Sequence, residues 1–149
     1  FTRLPEMPLA IEASQQQLKE VGIEAKIRKV EVSAVATEKN YAFTPYAVVA
    51  APIGDPYAYF NSAVKTGGVG NIGHYSNAEA DKKIEELATE TDQKKRIQLS
   101  KEIQALMDKD HGYTIIGFYK VAIVMNKSIS HLESHPTDYY HVTNKLTKE

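Results

Sequence analysis

The chain has 149 residues, the size of one domain that can bury a core without cross-links, and its 42% hydrophobic and 25% charged residues are the balance of an ordinary folded protein. That balance excludes a disordered tail, a collagen-like repeat and a coiled coil. Eighteen basic residues against nineteen acidic ones give a net charge of −1 with no basic stripe for a phosphate backbone, and the lack of cysteine removes disulfides, thiolate nucleophiles and cysteine zinc sites.

Met7, Ile11, Ser14, Leu18 and Val21 recur at helical spacing and share one face, which predicts a helix from about Glu6 to Val21 with Gly22 as its left-handed C-cap. Ile23, Ala25 and Ile27 then alternate with Glu24, Lys26 and Arg28, the pattern of a half-buried strand. The continuous apolar run from Tyr46 to Ala51 reads as a strand covered on both faces, with Pro45 confined to its start. After the turn Pro52-Ile53-Gly54, Asp55-Pro56 is a helix-start signal, because Asp accepts from orphan amides and Pro loses nothing at the first helical position. A short aromatic helix through Tyr57, Tyr59 and Phe60 follows.

Four glycines within the seven residues Gly67 to Gly73 predict a long loop, since glycine loses the most backbone entropy in regular structure. Ser76-Asn77-Ala78-Glu79 fits a capping box opening a helix with Ala80, Ile84, Leu87 and Ala88 on its inner face. Thr91 is expected to cap the next helix, with Leu99, Ile103 and Leu106 inward, Lys94, Lys95, Arg96 and Lys101 in solvent, and Gly112 at its end. Thr114 to Met125 is rich in Ile, Val, Phe and Tyr and reads as a strand or strand pair. The polar tail from Asn126 lacks periodicity, and its length predicts that it packs on another surface. Helices alternating with apolar strands give an α/β class with a mixed sheet flanked by helices. No apolar run approaches the ~20 residues of a membrane helix.

No Gly-x-Ser-x-Gly elbow is present, and Ser62, Ser76 and Ser100 sit where helix structure accounts for them, so the chain is not expected to be an enzyme. The glycine loop lacks the Gly-Lys-Ser/Thr ending of a phosphate cradle. Five histidines invite a metal reading, since a neutral imidazole, titrating near pH ~6.5, is the commonest transition-metal ligand. No His pair stands one turn apart on a helix, and His111, His131 and His141 read as surface residues in loops. His74 differs: its glycine-flanked loop lets backbone and ligand approach closely, which makes it the candidate contact. Tyr57 and Tyr75 stand near the same loops and could line a pocket with an apolar body and a polar tip, although core packing accounts for most of the nine tyrosines.

The ordered series Arg3 to Leu9, Gln17 to Ile23, Gly54-Asp55-Pro56 with Phe60, Gly73-His74-Tyr75-Ser76-Asn77, and a helix pair ending in Asp108-Lys109-Asp110 resembles the C-terminal lobe of the peptide/nickel class of ABC-transporter solute-binding proteins over nearly the whole chain. The run His135-Pro136-Thr137-Asp138-Tyr139-Tyr140 resembles members of the class that take up nickel. The resemblance implies two lobes hinged around a ligand, with residues 1–149 as the C-terminal one and the tail 126–149 packed on an N-terminal lobe. It implies an extracytoplasmic location, in the periplasm or as a surface lipoprotein, with membrane anchoring only through a preceding N-terminal region and an ABC permease as partner. No cofactor is implied; nickel or a metal chelate enters as cargo. His74, Tyr75, Asp55 and Tyr57 are the expected ligand contacts, His74 being the metal ligand, while capping duty also explains Asp55.

Two departures bear on the cargo. The peptide-binding branch carries a Trp on the strand and an Asp three residues before the acidic-Pro pair, where it meets the peptide ammonium. Here Pro52 holds that position and the chain has no Trp. A cationic peptide end finds no counter-charge from Pro52, which shifts the expectation toward nickel or a nickel chelate, with an oligopeptide as the alternative.

Overall fold

The computed structural model describes residues 6–35, 37, 41–48, 50, 54–118, 124–130 and 147–148. The chain divides into two compact units, residues 1–47 and 48–149. In the first, α1 (Glu6–Glu20) half-buries Met7, Ile11, Ser14 and Leu18, the stripe that the spacing predicts. Val21 falls outside it and is exposed, because the helix stops one residue earlier than expected. Gly22 takes the left-handed conformation (φ 83°), its N–H reaching the Lys19 carbonyl and that of Ile23 the Leu18 carbonyl, the paired bonds of a Schellman ending. The Gln15 amide ties the following segment back to α1 by donating to the Ala25 carbonyl at 2.6 Å. A short α2 covers Val32–Val35.

The second unit holds the core. α3 (Tyr57–Tyr59) runs without a break into a π-helical turn over Phe60–Val64, closed by the Lys65 N–H on the Phe60 carbonyl. The wider turn sends Phe60, Ala63 and Val64 inward together. α4 (Ala78–Thr89) and α5 (Gln93–Lys109) pack as a helix pair on this turn, and Ala80, Ile84 and Leu87 meet Leu99, Ile103 and Met107 in one cluster. An ion pair between Lys83 and Glu102, 2.7 Å apart, crosses the helix pair and raises the lysine pKa while lowering that of the carboxyl.

Several expectations shift by small steps with clear causes. The cap of α4 is Asn77 rather than Ser76, its side-chain oxygen accepting from the Glu79 and Ala80 amides, while Ser76 accepts from the Thr66 hydroxyl. Asp92 caps α5 in place of Thr91, accepting from Lys95 N–H at 2.9 Å. Ala88 is exposed, Leu106 is half-buried, and Met107 completes the inner face. Arg96, expected in solvent, is held by protein partners described below.

The expected mixed sheet is not seen among the described residues, where the only ladder is an antiparallel pair of two-residue strands, β1 (Ile129–Ser130) with β2 (Thr147–Lys148). The described parts of 23–27, 46–51 and 114–125 lie outside any ladder. Apolar alternation signals a surface that fits a sheet, whereas a strand also needs a partner for its N–H and C=O groups. Ile115, Ile116, Phe118 and Val124 are largely exposed, from 65% to 94%, so these described residues of the segment have neither ladder nor cover. Residues 131–146, with His131, His135 and His141, lie outside the described residues, as does Pro52.

Candidate functional site

The glycine-rich loop is closed, not loose. The amides of Gly68, Gly70 and Asn71 donate to the carbonyls of Lys65, Ser62 and Gly68, and a Cβ at position 68 would stand 2.3 Å from the Ser62 carbonyl oxygen, so only glycine lets the loop fold against the π-helical turn. At the exit of this loop His74 has φ 53°, a left-handed conformation that is uncommon outside glycine. Its side chain is exposed, and among the described residues it has no hydrogen-bonding or ionic partner.

Tyr75, the next residue, goes the other way. Its ring is 8% exposed within the core cluster and its hydroxyl donates to Asp110 Oδ2 at 2.8 Å. The Asn77 side-chain amide donates to the same oxygen at 2.6 Å. Burial, then the Asp110 contact, pushes the Tyr75 phenol well above its ordinary range, so it stays a neutral donor. The Asn77 and Tyr75 hydrogen bonds, in that order, hold the Asp110 carboxyl below its ordinary value of 3.8. A group whose folded pKa is depressed stabilises the fold above its unfolded pKa and loses that contribution as pH falls through the folded one. Asp110→Asn should therefore be less stable than the parent at neutral pH, with the gap closing as the pH drops below 3.8; pH-dependent urea melts check this, and a constant gap down to strongly acid pH would reject the linkage.

Asp55 and Tyr57 belong to the start of α3. The first carboxylate oxygen of Asp55 accepts from Tyr57 N–H at 2.8 Å, the capping contact expected of Asp-Pro. The second accepts from Arg96 Nε at 3.1 Å and Nη2 at 2.5 Å. Arg96 Nη1 donates in turn to the carbonyls of Leu87 and Glu90 at the end of α4, at 2.7 and 2.6 Å. An open cleft of about 400 Å³ lies between this turn and α5, with Asp55 and Arg96 on its wall, but both groups are already engaged with one another. Tyr57 is half-buried against the core cluster.

The structure thus sorts the expected contacts. His74 presents a side chain outward, Tyr75 and Tyr57 serve the core, and Asp55 caps a helix and binds Arg96. Asn71, Asp110 and Arg96, which fix these residues, were not singled out as site residues by spacing or charge. An Asn inside a glycine run, suited to pairing with nearby backbone, was the available signal for Asn71. Among the described residues no group of three or more His, Asp or Glu side chains converges to hold a metal, and no helix is long and apolar enough to cross a membrane.

No family model matches the chain. It is 26% identical over 147 residues to the nickel-binding protein NikA of Staphylococcus aureus, covering 97% of this chain and 30% of that protein. It is 30% identical over 137 residues to the oligopeptide-binding protein AppA of Bacillus subtilis, covering 86% of this chain and 24% of that protein. The fold matches the crystal structure of S. aureus NikA in complex with Ni(L-His)2 with a TM-score of 0.78 at 24% identity, over 97% of this chain and 32% of that one. The chain therefore spans less than a third of the length of these relatives.

Proposed function

We propose, from the homology of this chain to the peptide/nickel class of ABC-transporter solute-binding proteins, that it is one lobe of a protein capturing nickel or a nickel chelate outside the cytoplasm. In this reading residues 1–149 are the C-terminal lobe of a two-lobed protein. The mixed sheet of that lobe is completed where its apolar segments meet strands contributed by the rest of the protein, and the tail 126–149 packs on the N-terminal lobe. The complete protein works in the periplasm or as a surface lipoprotein, anchored only through its N-terminal region. It performs no bond chemistry. Ligand contacts to both lobes select the closed hinge state, which an ABC permease reads.

The observation that carries the choice of cargo is His74, an exposed imidazole standing without a partner among the described residues on a turn braced by the core. A nickel ion needs about four or more donors, and no convergent set accompanies His74 among the described residues. The remaining donors come from a small chelator such as histidine and from the opposite lobe. Tyr75 backs His74 from the core, whereas Tyr57 packs against the same core and Asp55 is bound to Arg96. Pro52, where the peptide-binding branch has Asp, removes the counter-charge for a peptide ammonium. An oligopeptide is the second reading, favoured by the 30% identity to AppA.

Calorimetric titration of the complete protein with nickel(II) plus L-histidine tests this reading. His74→Ala is expected to weaken binding by about tenfold or more. Micromolar affinity for short peptides with no response to nickel and histidine would replace this reading with the second.

A further inference from the structure

We infer that Asn71 is the positioning residue that sets His74 in its outward-facing, left-handed conformation, an inference that rests, for its consequence in binding, on His74 being the ligand contact. Asn71 is only 7% exposed, and a buried primary amide costs free energy unless its donors and acceptors are matched. Its side-chain oxygen accepts from Tyr75 N–H at 2.9 Å, and its side-chain nitrogen donates to the Tyr75 carbonyl at 2.7 Å and to the Lys65 carbonyl at 3.1 Å. One side chain thus holds both backbone groups of Tyr75, as a neighbouring strand residue would. The Asn71 main-chain carbonyl also accepts from His74 N–H at 3.2 Å. His74 is therefore fixed on its N-terminal side by the backbone of residue 71 and on its C-terminal side by the side chain of the same residue.

This bracing explains how a histidine keeps φ at 53°. Such a conformation persists when its surroundings over-determine it, and residues held this way concentrate at ligand clamps and switches. The hydrogen-bond partners of Asn71 belong to fixed parts of the chain: Lys65 closes the π-helical turn, and Tyr75 is locked by its ring and by Asp110. The Tyr113 hydroxyl adds a longer contact to Asn71 Oδ1 at 3.3 Å while also donating to the Ala63 carbonyl, which joins the brace to the core. The imidazole is thus presented in advance, and ordering entropy is not lost when ligand arrives.

Asn71→Asp keeps the shape but replaces the amide donor with a second acceptor, facing the Lys65 and Tyr75 carbonyls. In the 149-residue chain, hydrogen exchange at the His74 and Tyr75 amides should accelerate about tenfold beyond any change at α5 amides such as Ile103. In the unsubstituted chain these two amides should exchange more slowly than Val69. Exchange at His74 and Tyr75 as fast as at Val69 would overturn the inference even if Asn71→Asp fails to fold. In the complete protein, titrated with nickel(II) plus L-histidine, Asn71→Asp should weaken binding about tenfold beside His74, and leave it unchanged in a His74→Ala background. Equal weakening in both backgrounds would make Asn71 a general stabiliser and reject its positioning role. If His74→Ala alone leaves binding intact, the reading of His74 as ligand contact fails, whereas the exchange result still decides whether Asn71 holds its backbone.

Discussion

Arg96→Ala should destabilise this chain by about 2–3 kcal/mol, more than any other charge removal on α5. The guanidinium is the joint of three elements: it projects from α5, closes the end of α4 through the Leu87 and Glu90 carbonyls, and binds the Asp55 oxygen that the α3 cap leaves over. A helix ends with carbonyls that have no partner within it, and Arg96 supplies that partner from another helix. Its side chain is 23% exposed and that of Asp55 32%, so water replaces part of what is lost, which keeps the destabilisation below the sum of the separate bonds. Arg96→Lys is expected to recover less than half, because an ammonium on a flexible stem does not reproduce a planar fork with donors on both sides. In a double-mutant cycle, Asp55→Ala should cost markedly less once Arg96 is alanine. Urea melts followed by circular dichroism read all five proteins: the parent, Arg96→Ala, Arg96→Lys, Asp55→Ala and the double variant. Full stability in Arg96→Lys, or additive effects of Arg96→Ala and Asp55→Ala, would reject the joint.

Adjacent residues at the end of α5 should respond with opposite signs. The helix closes with His111 N–H on the Asp108 carbonyl and Gly112 N–H on the Met107 carbonyl, and the left-handed residue is His111, at φ 51°. Glycine accepts that conformation without a Cβ penalty, so His111→Gly should stabilise by about 0.5–1 kcal/mol. Gly112 lies outside the left-handed region and is needed for space: a Cβ there would stand 2.4 Å from Cδ2 of Tyr75. Gly112→Ala must displace a buried ring and with it the Tyr75–Asp110 hydrogen bond, at a cost of about 3 kcal/mol. Thermal melts of the two variants test the pair. A neutral Gly112→Ala would show that the Tyr75 ring has room to move, and a destabilised His111→Gly would mean that the His111 side chain contributes more than its backbone strain costs.

By itself the sequence determined the helices α1, α3, α4 and α5 and the stop after α1. The stripe Met7, Ile11, Ser14 and Leu18, the stripe Ala80, Ile84 and Leu87, the ending at Gly22 and the Asp55 cap are all local consequences of periodicity and of orphan backbone groups, and each is present in the structure. The ordered motifs around Asp55-Pro56 and Gly73-His74-Tyr75 also point toward the kind of nickel- and oligopeptide-binding proteins to which the chain is similar. Tertiary structure alone decided which polar residues hold the site. Arg96 stands in a run of lysines and reads as a solvent charge until α4 and Asp55 come within reach, 9 and 41 residues away in the chain. Gly112 reads as a helix-ending glycine until the Tyr75 ring, from another part of the chain, lies against it. Strand pairing is decided in the same way, since alternation at Ile23 to Ile27 and the apolar run at Thr114 to Phe118 register an affinity for burial but do not name the partner edge. Periodicity and capping act within one or two turns of backbone, while a ring's neighbour, a guanidinium's acceptors and a strand's partner are set by contacts that exist only after the chain has folded.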